Sequence, residues 1–209
     1  MRAIRAGLAI SVAVLLSTAG CLGFVSGSEP LNFTATAATI EESALQGTGF
    51  EEQSVQPITL NRTIEFQGEQ RELIIENHVA SYQKTAAGNE IGIVTVVATP
   101  KAEVLGQGLN PIGRMDRQAL LEQMFSFAGV SNTGDMTEIG TERTTILGEE
   151  RDVSVFETTR EQAGQQITVR IRIVRFSHND DYVIALGIYP KRMSAEKQNI
   201  QQLFAGITH

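Results

Sequence analysis

The chain has one cysteine in 209 residues, Cys21, so no disulfide can form within it and stability has to come from the core. There are three histidines, His78, His178 and His209, with no H-x-x-x-H spacing and no cysteine cluster, so no metal motif is present and the expectation is no metal and no cofactor. No G-x-S-x-G occurs, and no cysteine is left over as a nucleophile once Cys21 is committed to lipid. No Arg-Arg pair marks twin-arginine export, which leaves the general secretory route. Lysine is scarce, with 4 Lys against 13 Arg, while the acids run to 19 Glu and 5 Asp. The formal charge of −7 argues against nucleic acid or an anionic lipid surface as a partner. A lysine-poor, acidic surface suits solubility in concentrated salt, and a plain acidic surface would have the same composition.

What is present starts at the N-terminus. Arg2 and Arg5 precede an apolar run from Ala6 to Leu16, closed by Ser17-Thr18-Ala19-Gly20 and then Cys21. A basic start, an apolar stretch of roughly 7 to 15 residues and small residues before the cut make a signal peptide. The cysteine at the cut makes it a lipoprotein signal, in which Cys21 becomes the new N-terminus and takes up lipid through its sulfur. A membrane-spanning helix needs ~20 apolar residues, more than this run supplies. One departure from the usual bacterial lipobox is Thr18, where leucine is common. The reading assigns residues 1–20 to the signal peptide, 21–31 to the lipidated cysteine and a Gly/Ser-containing tether, and 32–209 to a single domain. Without residues 1–20 the chain keeps 15 basic and 24 acidic side chains, a formal charge of −9. Two sequons, Asn32-Phe33-Thr34 and Asn61-Arg62-Thr63, make Asn32 and Asn61 candidate N-glycosylation sites in an exported protein.

Beyond the tether, short helices alternate with runs of hairpins. Thr39-Ile40-Glu41-Glu42 reads as a capping box opening a helix to about Gln46, stopped by Gly47 and Gly49. Strands are predicted at Ile58 to Phe66, Leu73 to Gln83 and Ile91 to Ala98, the last apolar on both faces and therefore central. A helix capped by Asp116 carries Leu120, Leu121, Met124 and Phe125 on one stripe and ends at Gly129. Four more strands follow, at Met136 to Leu147, Val153 to Thr159, Ile167 to Phe176 and Tyr182 to Tyr189. A last helix, capped by Ser194, carries Ile200, Leu203, Phe204 and Ile207. Turns too short for crossover connections predict an α+β fold, an antiparallel β-sheet flanked by helices. Arg62 to Leu73 and Arg143 to Val153 share a Gly turn followed by Arg, an acid and an apolar strand, which suggests two related halves; convergent turn chemistry would produce the same echo.

The lipobox with Cys21-Leu22-Gly23-Phe24, the Glu29-Pro30-Leu31 segment, Ala98-Thr99-Pro100, Val104-Leu105-Gly106-Gln107 and Asn110-Pro111-Ile112-Gly113 resemble a family of haloarchaeal lipoproteins of unknown function. The resemblance implies anchoring at the extracytoplasmic face of the cell membrane and adaptation to salt, and carries no activity. In element order alone the chain is similar to the photosystem II subunit PsbP and related lipoproteins, which implies an αβα sandwich.

Candidate sites are few. Gly106, Gln107, Gly108, Asn110, Pro111 and Gly113 form a glycine-rich loop whose spacing fits no phosphate-binding motif, leaving it a turn and a candidate binding loop. Arg170 and Arg172, with Thr168, alternate with Ile167, Val169, Ile171 and Ile173, so they form a candidate basic strip on the wet face of a strand, crossed by neighbouring glutamates. His178-Asn179-Asp180-Asp181 suits a hard cation on paper and a hairpin turn equally by residue type. The expected function is a non-enzymatic binding module of the cell envelope, held to the membrane by lipid on Cys21, with another envelope protein as partner and no nucleic acid. The alternatives are a solute-binding lipoprotein with a pocket between sheet and helices, and a hydrolase using His78 or His178. The anchor reading is checked by fractionation: Cys21→Ala is expected to move the chain from the membrane pellet to the soluble or secreted fraction, and unchanged pelleting would remove the lipid from the account.

Overall fold

The computed structural model describes residues 29–66, 68–130, 134–162 and 164–209. The signal peptide, Cys21 and the tether up to residue 28 lie outside the described residues. Among the described residues sixteen elements follow one another, twelve of them strands. They are β1 (Leu31–Thr34), β2 (Thr39–Ile40), α1 (Glu42–Thr48), β3 (Glu51–Phe66), β4 (Glu69–Ala86) and β5 (Asn89–Pro100). Next come β6 (Glu103–Val104), β7 (Gln107–Gly108), a 3-10 helix (Pro111–Arg114) and α2 (Arg117–Ala128). The last are β8 (Thr137–Ile146), β9 (Glu149–Gln162), β10 (Gln165–His178), β11 (Asp181–Pro190), α3 (Ala195–Ala205) and β12 (Ile207–Thr208).

One large sheet of eight strands runs in the order β1-β4-β5-β11-β10-β9-β8, with β3 also paired to β4. The neighbours β4–β5, β5–β11, β11–β10, β10–β9 and β9–β8 are antiparallel. Most are joined by two-residue turns whose first residue takes the left-handed conformation, as at Ala87 (φ 49°) and Leu147 (φ 51°), each followed by a left-handed glycine. Such turns match the twist of paired strands. In the two segments that echo each other, Arg62–Leu73 and Arg143–Val153, Gly68 and Gly148 are both left-handed.

The chain divides into two compact units. Among the described residues the first holds 29–33 together with Thr59–Ile75 of the β3–β4 hairpin, where Arg71 stacks over the Phe66 ring. Leu73 and Ile75 are buried there. The second, Thr34–Ile58 with Glu76–His209, carries the remaining strands and the helices α1, α2 and α3.

In the second unit the strands alternate cleanly between two apolar clusters, because successive side chains leave opposite faces of a sheet. On one face Val94, Val96, Val183, Ala185, Val174 and Phe176 meet Ala44 of α1 and Ile200, Leu203 and Phe204 of α3. On the other, Val97, Ile184, Leu186, Ile171 and Ile173 meet Leu120, Leu121, Met124 and Phe125 of α2. β5 is apolar on both faces and lies between β4 and β11, as its run of Ile and Val predicts.

The αβα sandwich expected from the sequence is incorrect. Among the described residues strand accounts for 60% and helix for 19%, and the sheet is mixed rather than wholly antiparallel. The reason is length. The 14-residue β9 extends about 46 Å and the 12-residue α2 about 18 Å, so the helices cover patches of the faces and form no layer. β9 begins at Glu149, four residues before the apolar pattern starts at Val153, because polar residues pair through the backbone as readily as apolar ones. β1 reaches β4 without a hairpin turn and is free of the antiparallel constraint such a turn imposes.

The capping box is also corrected. Thr39 lies in β2, its hydroxyl 3.0 Å from that of Thr208, and α1 starts after Glu41 with no side-chain cap. Ile207, expected on the last helical stripe, sits past Gly206 in β12, where it pairs with Ile40.

Gly187 on β11 lies under Ile200, and a Cβ built there would fall 2.6 Å from Ile200 Cγ2. Gly187→Ala is expected to lower stability by about 1–3 kcal/mol through overpacking. In urea unfolding, Ile200→Ala in the Gly187→Ala background should cost clearly less than the two single changes together; simple additivity would show that the close approach is not the cause.

Candidate functional site

The candidate basic strip is not a wet face. Arg172 is 0% exposed, and the strand face that carries it lies beneath α3. Its Nε donates to the Tyr189 hydroxyl at 3.2 Å, and its Nη2 donates to both carboxylate oxygens of Glu142, at 2.9 and 3.0 Å. Glu142 sits on the edge strand β8 and accepts two further bonds from α3, from Lys197 Nζ at 2.9 Å and Gln201 Nε2 at 3.2 Å. Burial alone would raise the Glu142 carboxyl, but the hydrogen bonds and charges of Lys197 and Arg172 outweigh it and hold Glu142 below the ordinary value. Arg172 Nη1 is buried with no hydrogen-bond partner. Arg170, two residues earlier, is partly exposed and pairs with Glu157 at 3.0 Å, and Glu157 also takes Lys191 at 2.9 Å. The hydrogen bond from Lys191 is the main cause that keeps Glu157 low, with Arg170 adding to it. The alternation of β10 placed Arg172 correctly opposite the Ile167–Ile173 stripe; what it could not show is that a helix 25 residues downstream covers that face.

The candidate loop splits into two parts with different roles. Gly106, Gln107 and Gly108 belong to the β6–β7 hairpin, in which Glu103 pairs with Gly108 and Val104 with Gln107. At its tip Leu105 is 79% exposed with φ 51°. The buried Asn110 and the half-buried Pro111 and Gly113 form its root. Asn110 Nδ2 donates to Thr99 Oγ1 at 2.7 Å and to the Pro100 carbonyl at 2.6 Å, while its Oδ1 accepts from Ile112 N. Arg175 Nη1 reaches up from β10 to the carbonyls of Ile112 and Met115, at 2.6 and 2.9 Å. Gly113 has no side chain because the Tyr182 hydroxyl occupies that space. Asp116 then caps α2, accepting from Ala119 N at 2.9 Å.

The histidines separate as well. His78 on β4 is half-buried, and its Nδ1 has no hydrogen-bond partner. His178, at the end of β10, meets His209 with the two Nδ1 atoms 2.8 Å apart. His209 Nε2 lies 3.0 Å from Asp181 Oδ2, which also accepts from Thr36 N at 2.8 Å. The stretch His178-Asn179-Asp180-Asp181 therefore does not converge on a hard cation: Asp181 turns inward, and the Asn179 and Asp180 carbonyls are both taken by Lys101. Among the described residues no group of three His, Cys, Asp or Glu side chains gathers in a way that could hold a metal. Glu142 and Tyr189 went unremarked in the sequence because their partners lie between 17 and 59 residues away and leave no local signature.

Asn32 on β1 and Asn61 on β3 are both exposed, and both belong to the first unit. Cys21 lies outside the described residues. A cleft of about 530 Å³ opens in the second unit between α2 and β9, lined by Gln118, Leu121, Glu122, Gly134, Asp135, Met136 and Phe156. No helix among the described residues is long and apolar enough to cross a membrane.

A family model described as "Domain of unknown function (DUF6517)" matches residues 37–208. No curated protein matches the chain.

The Glu142 cluster makes a signed prediction. Since its folded carboxyl is held below the unfolded value of 4.5, its contribution to stability is present above that value and is lost as pH falls through the depressed one. Glu142→Gln should cost about 3 kcal/mol at neutral pH, because Arg172 is left charged and buried without its carboxylate. The variant's stability should also fall less steeply below pH 4.5 than that of the parent, as read by denaturant unfolding across pH; parallel pH curves would assign the acid loss elsewhere.

Proposed function

The chain belongs to the DUF6517 family, and from that premise we propose that it is a non-enzymatic contact module of the cell envelope, held at the extracytoplasmic face of the membrane by lipid on Cys21. Its point of contact is the β6–β7 hairpin, and its partner is another envelope protein with an apolar recess. One observation carries this reading: the conformation and exposure of Leu105 together.

A two-residue turn of this kind needs positive φ at both central residues, so Asn-Gly and Asp-Gly are favoured. Leucine in that region costs of order 1–3 kcal/mol. Leu147 adopts the same conformation in the β8–β9 turn and recovers the cost by packing on the core. Leu105 recovers nothing within the chain, since it is 79% exposed. A strained apolar side chain projected into solvent from a rigid root is placed for a surface outside the chain. Asn110, Arg175 and the Gly113–Tyr182 contact supply that rigidity, which lowers the ordering cost of binding.

Leu105→Asn separates this reading from a structural one, because strain and binding predict opposite signs. The unfolding midpoint should stay level or rise, while crosslinking of the full chain in cells at native salt should lose its recurrent envelope partner. An unchanged crosslinking pattern would sink the hairpin as the contact. Leu147→Asn, the matched change at a packed turn, should lower stability.

The cleft between α2 and β9 supports a second reading as a solute-binding protein, since its volume falls in the range of small-molecule sites and it sets Leu121, Met136 and Phe156 beside Gln118, Glu122 and Asp135.

A further inference from the structure

The geometry points to a binding site for a small carboxylate with an apolar tail, in a notch between β5 and β10 where β11 stops short. β11 lies between those two strands in the sheet. Its ladder to β5 ends with Ile188 opposite Ile93, and its ladder to β10 ends with Pro190 opposite Val169. β5 nevertheless starts back at Asn89, and β10 at Gln165. Neighbouring strands lie about 4.7–4.9 Å apart, so where β11 is missing the two walls stand roughly 9–10 Å from each other. The chain leaves β11 through a turn in which Lys191 N donates to the Thr168 carbonyl and Met193 N to the Pro190 carbonyl, and then enters α3.

A recess of about 360 Å³ opens there, a volume within the range of small-molecule sites. Ile91, Ile167, Pro190 and Met193 give it apolar walls, and Asn89 and Gln165 add side-chain amides. Two charged residues line it, and they differ in what they have left to offer. Glu90 is occupied on both oxygens: Arg160 reaches across from β9 to Oε1 at 3.1 Å, and Gln83 Nε2 donates to Oε2 at 2.6 Å. Arg192 is exposed and has no hydrogen-bond or ion-pair partner among the described residues. Its neighbour Lys191 is held by Glu157 at 2.9 Å. The recess therefore carries one uncompensated positive charge, on a chain whose acids outnumber its bases.

That charge and those walls select the ligand. A guanidinium presents paired N–H donors that match the two oxygens of a carboxylate. A single free cation suits a monoanion, whereas a phosphate monoester would bring a charge of about −1.5 to −2 against it. The apolar walls take a hydrocarbon tail, and each methylene they bury should tighten binding about three- to fourfold. The notch lies at the start of β5, at the other end of that strand from the hairpin that carries Leu105, and shares no lining residue with the cleft between α2 and β9. It stands whether or not the hairpin is a point of contact.

The test is methyl NMR of the full, detergent-solubilised chain, labelled at isoleucine and methionine and titrated with hexanoate. Saturable shifts are expected at Ile91, Ile167 and Met193, with Met136 in the other cleft unmoved. Pentanoate and butanoate should bind more weakly in turn, by about three- to fourfold per methylene. Arg192→Gln should weaken hexanoate about five- to tenfold, and Arg192→Lys, which keeps the charge without the paired donors, should fall between. Hexylammonium, with the same tail and the opposite charge, should bind no better to the parent than hexanoate does to Arg192→Gln. All titrations use the same micelles, so partition of the tail into detergent is common to them, and each variant's melting curve is taken alongside. Absence of saturable shifts at the three recess methyls, parental affinity in Arg192→Gln, equal binding of hexylammonium and hexanoate, or shifts confined to Met136 would each overturn the site.

Discussion

A single carboxylate, Glu142, ties together three parts of the molecule that the apolar core alone would not hold in register. It lies on the outermost strand β8, yet it is bonded to Arg172 on β10, two strands inward, and to Lys197 and Gln201 on α3. The apolar face under α3 is continuous and non-directional, so burial by itself would tolerate small rotations of the helix. Four bonds from three donor groups converging on two oxygens do not. A buried ion pair of this kind offers little net stability over an apolar replacement, because desolvation of Arg172 offsets most of the attraction. What it supplies is position: the helix is placed so that Ile200 sits over Gly187, and the turn of the chain after α3 then meets β2.

Sheet edges show the same division between attraction and placement. β8 exposes its outer side, and long unpaired edges invite pairing with other chains. Its register shifts between Glu138 and Gly140, leaving Ile139 out of the regular ladder, and Arg143 and Glu138 add charge. A bulge and charges on an edge strand oppose edge-to-edge association, so contact with another protein is better sought at a feature that carries an apolar group deliberately outward.

Much of the fold was legible because its signals are local. Gly68, Gly88, Gly129 and Gly148 sit in left-handed positions that stop strands or helices, Asp116 caps α2 with its own side chain, and the double-faced apolarity of β5 marks the middle of the sheet. Strand ends were not legible, since polar residues such as Glu149 and Arg160 extend the ladder without changing the hydrophobic pattern. The first helix was misplaced for a related reason: Thr39 offers a hydroxyl that suits a cap, but Thr208, 169 residues on, takes it. The burial of Arg172 was likewise invisible, because alternation says which face a residue is on and not what covers that face. The candidate loop was half legible, in that the glycines marked a turn while the strain at Leu105 appears only as a dihedral angle.

Lys101 joins the two features with the most chemistry. It follows β5 directly; its amide donates to the Asp180 carbonyl and its ammonium to the Asn179 carbonyl, so it holds the turn that carries His178. The next residue, Ala102, accepts from Leu109 N and closes the base of the hairpin that carries Leu105. The contact tip and the histidine pair thus share one anchor at the end of β5, two residues wide. Shared anchoring is weaker than coupling, since energetic communication needs an element with two discrete arrangements that both sites bias, and every bond along this route is satisfied in one arrangement. The route is therefore best understood as fixing the separation of the two features, so that a partner engaging Leu105 meets the β10–β11 turn at a set distance.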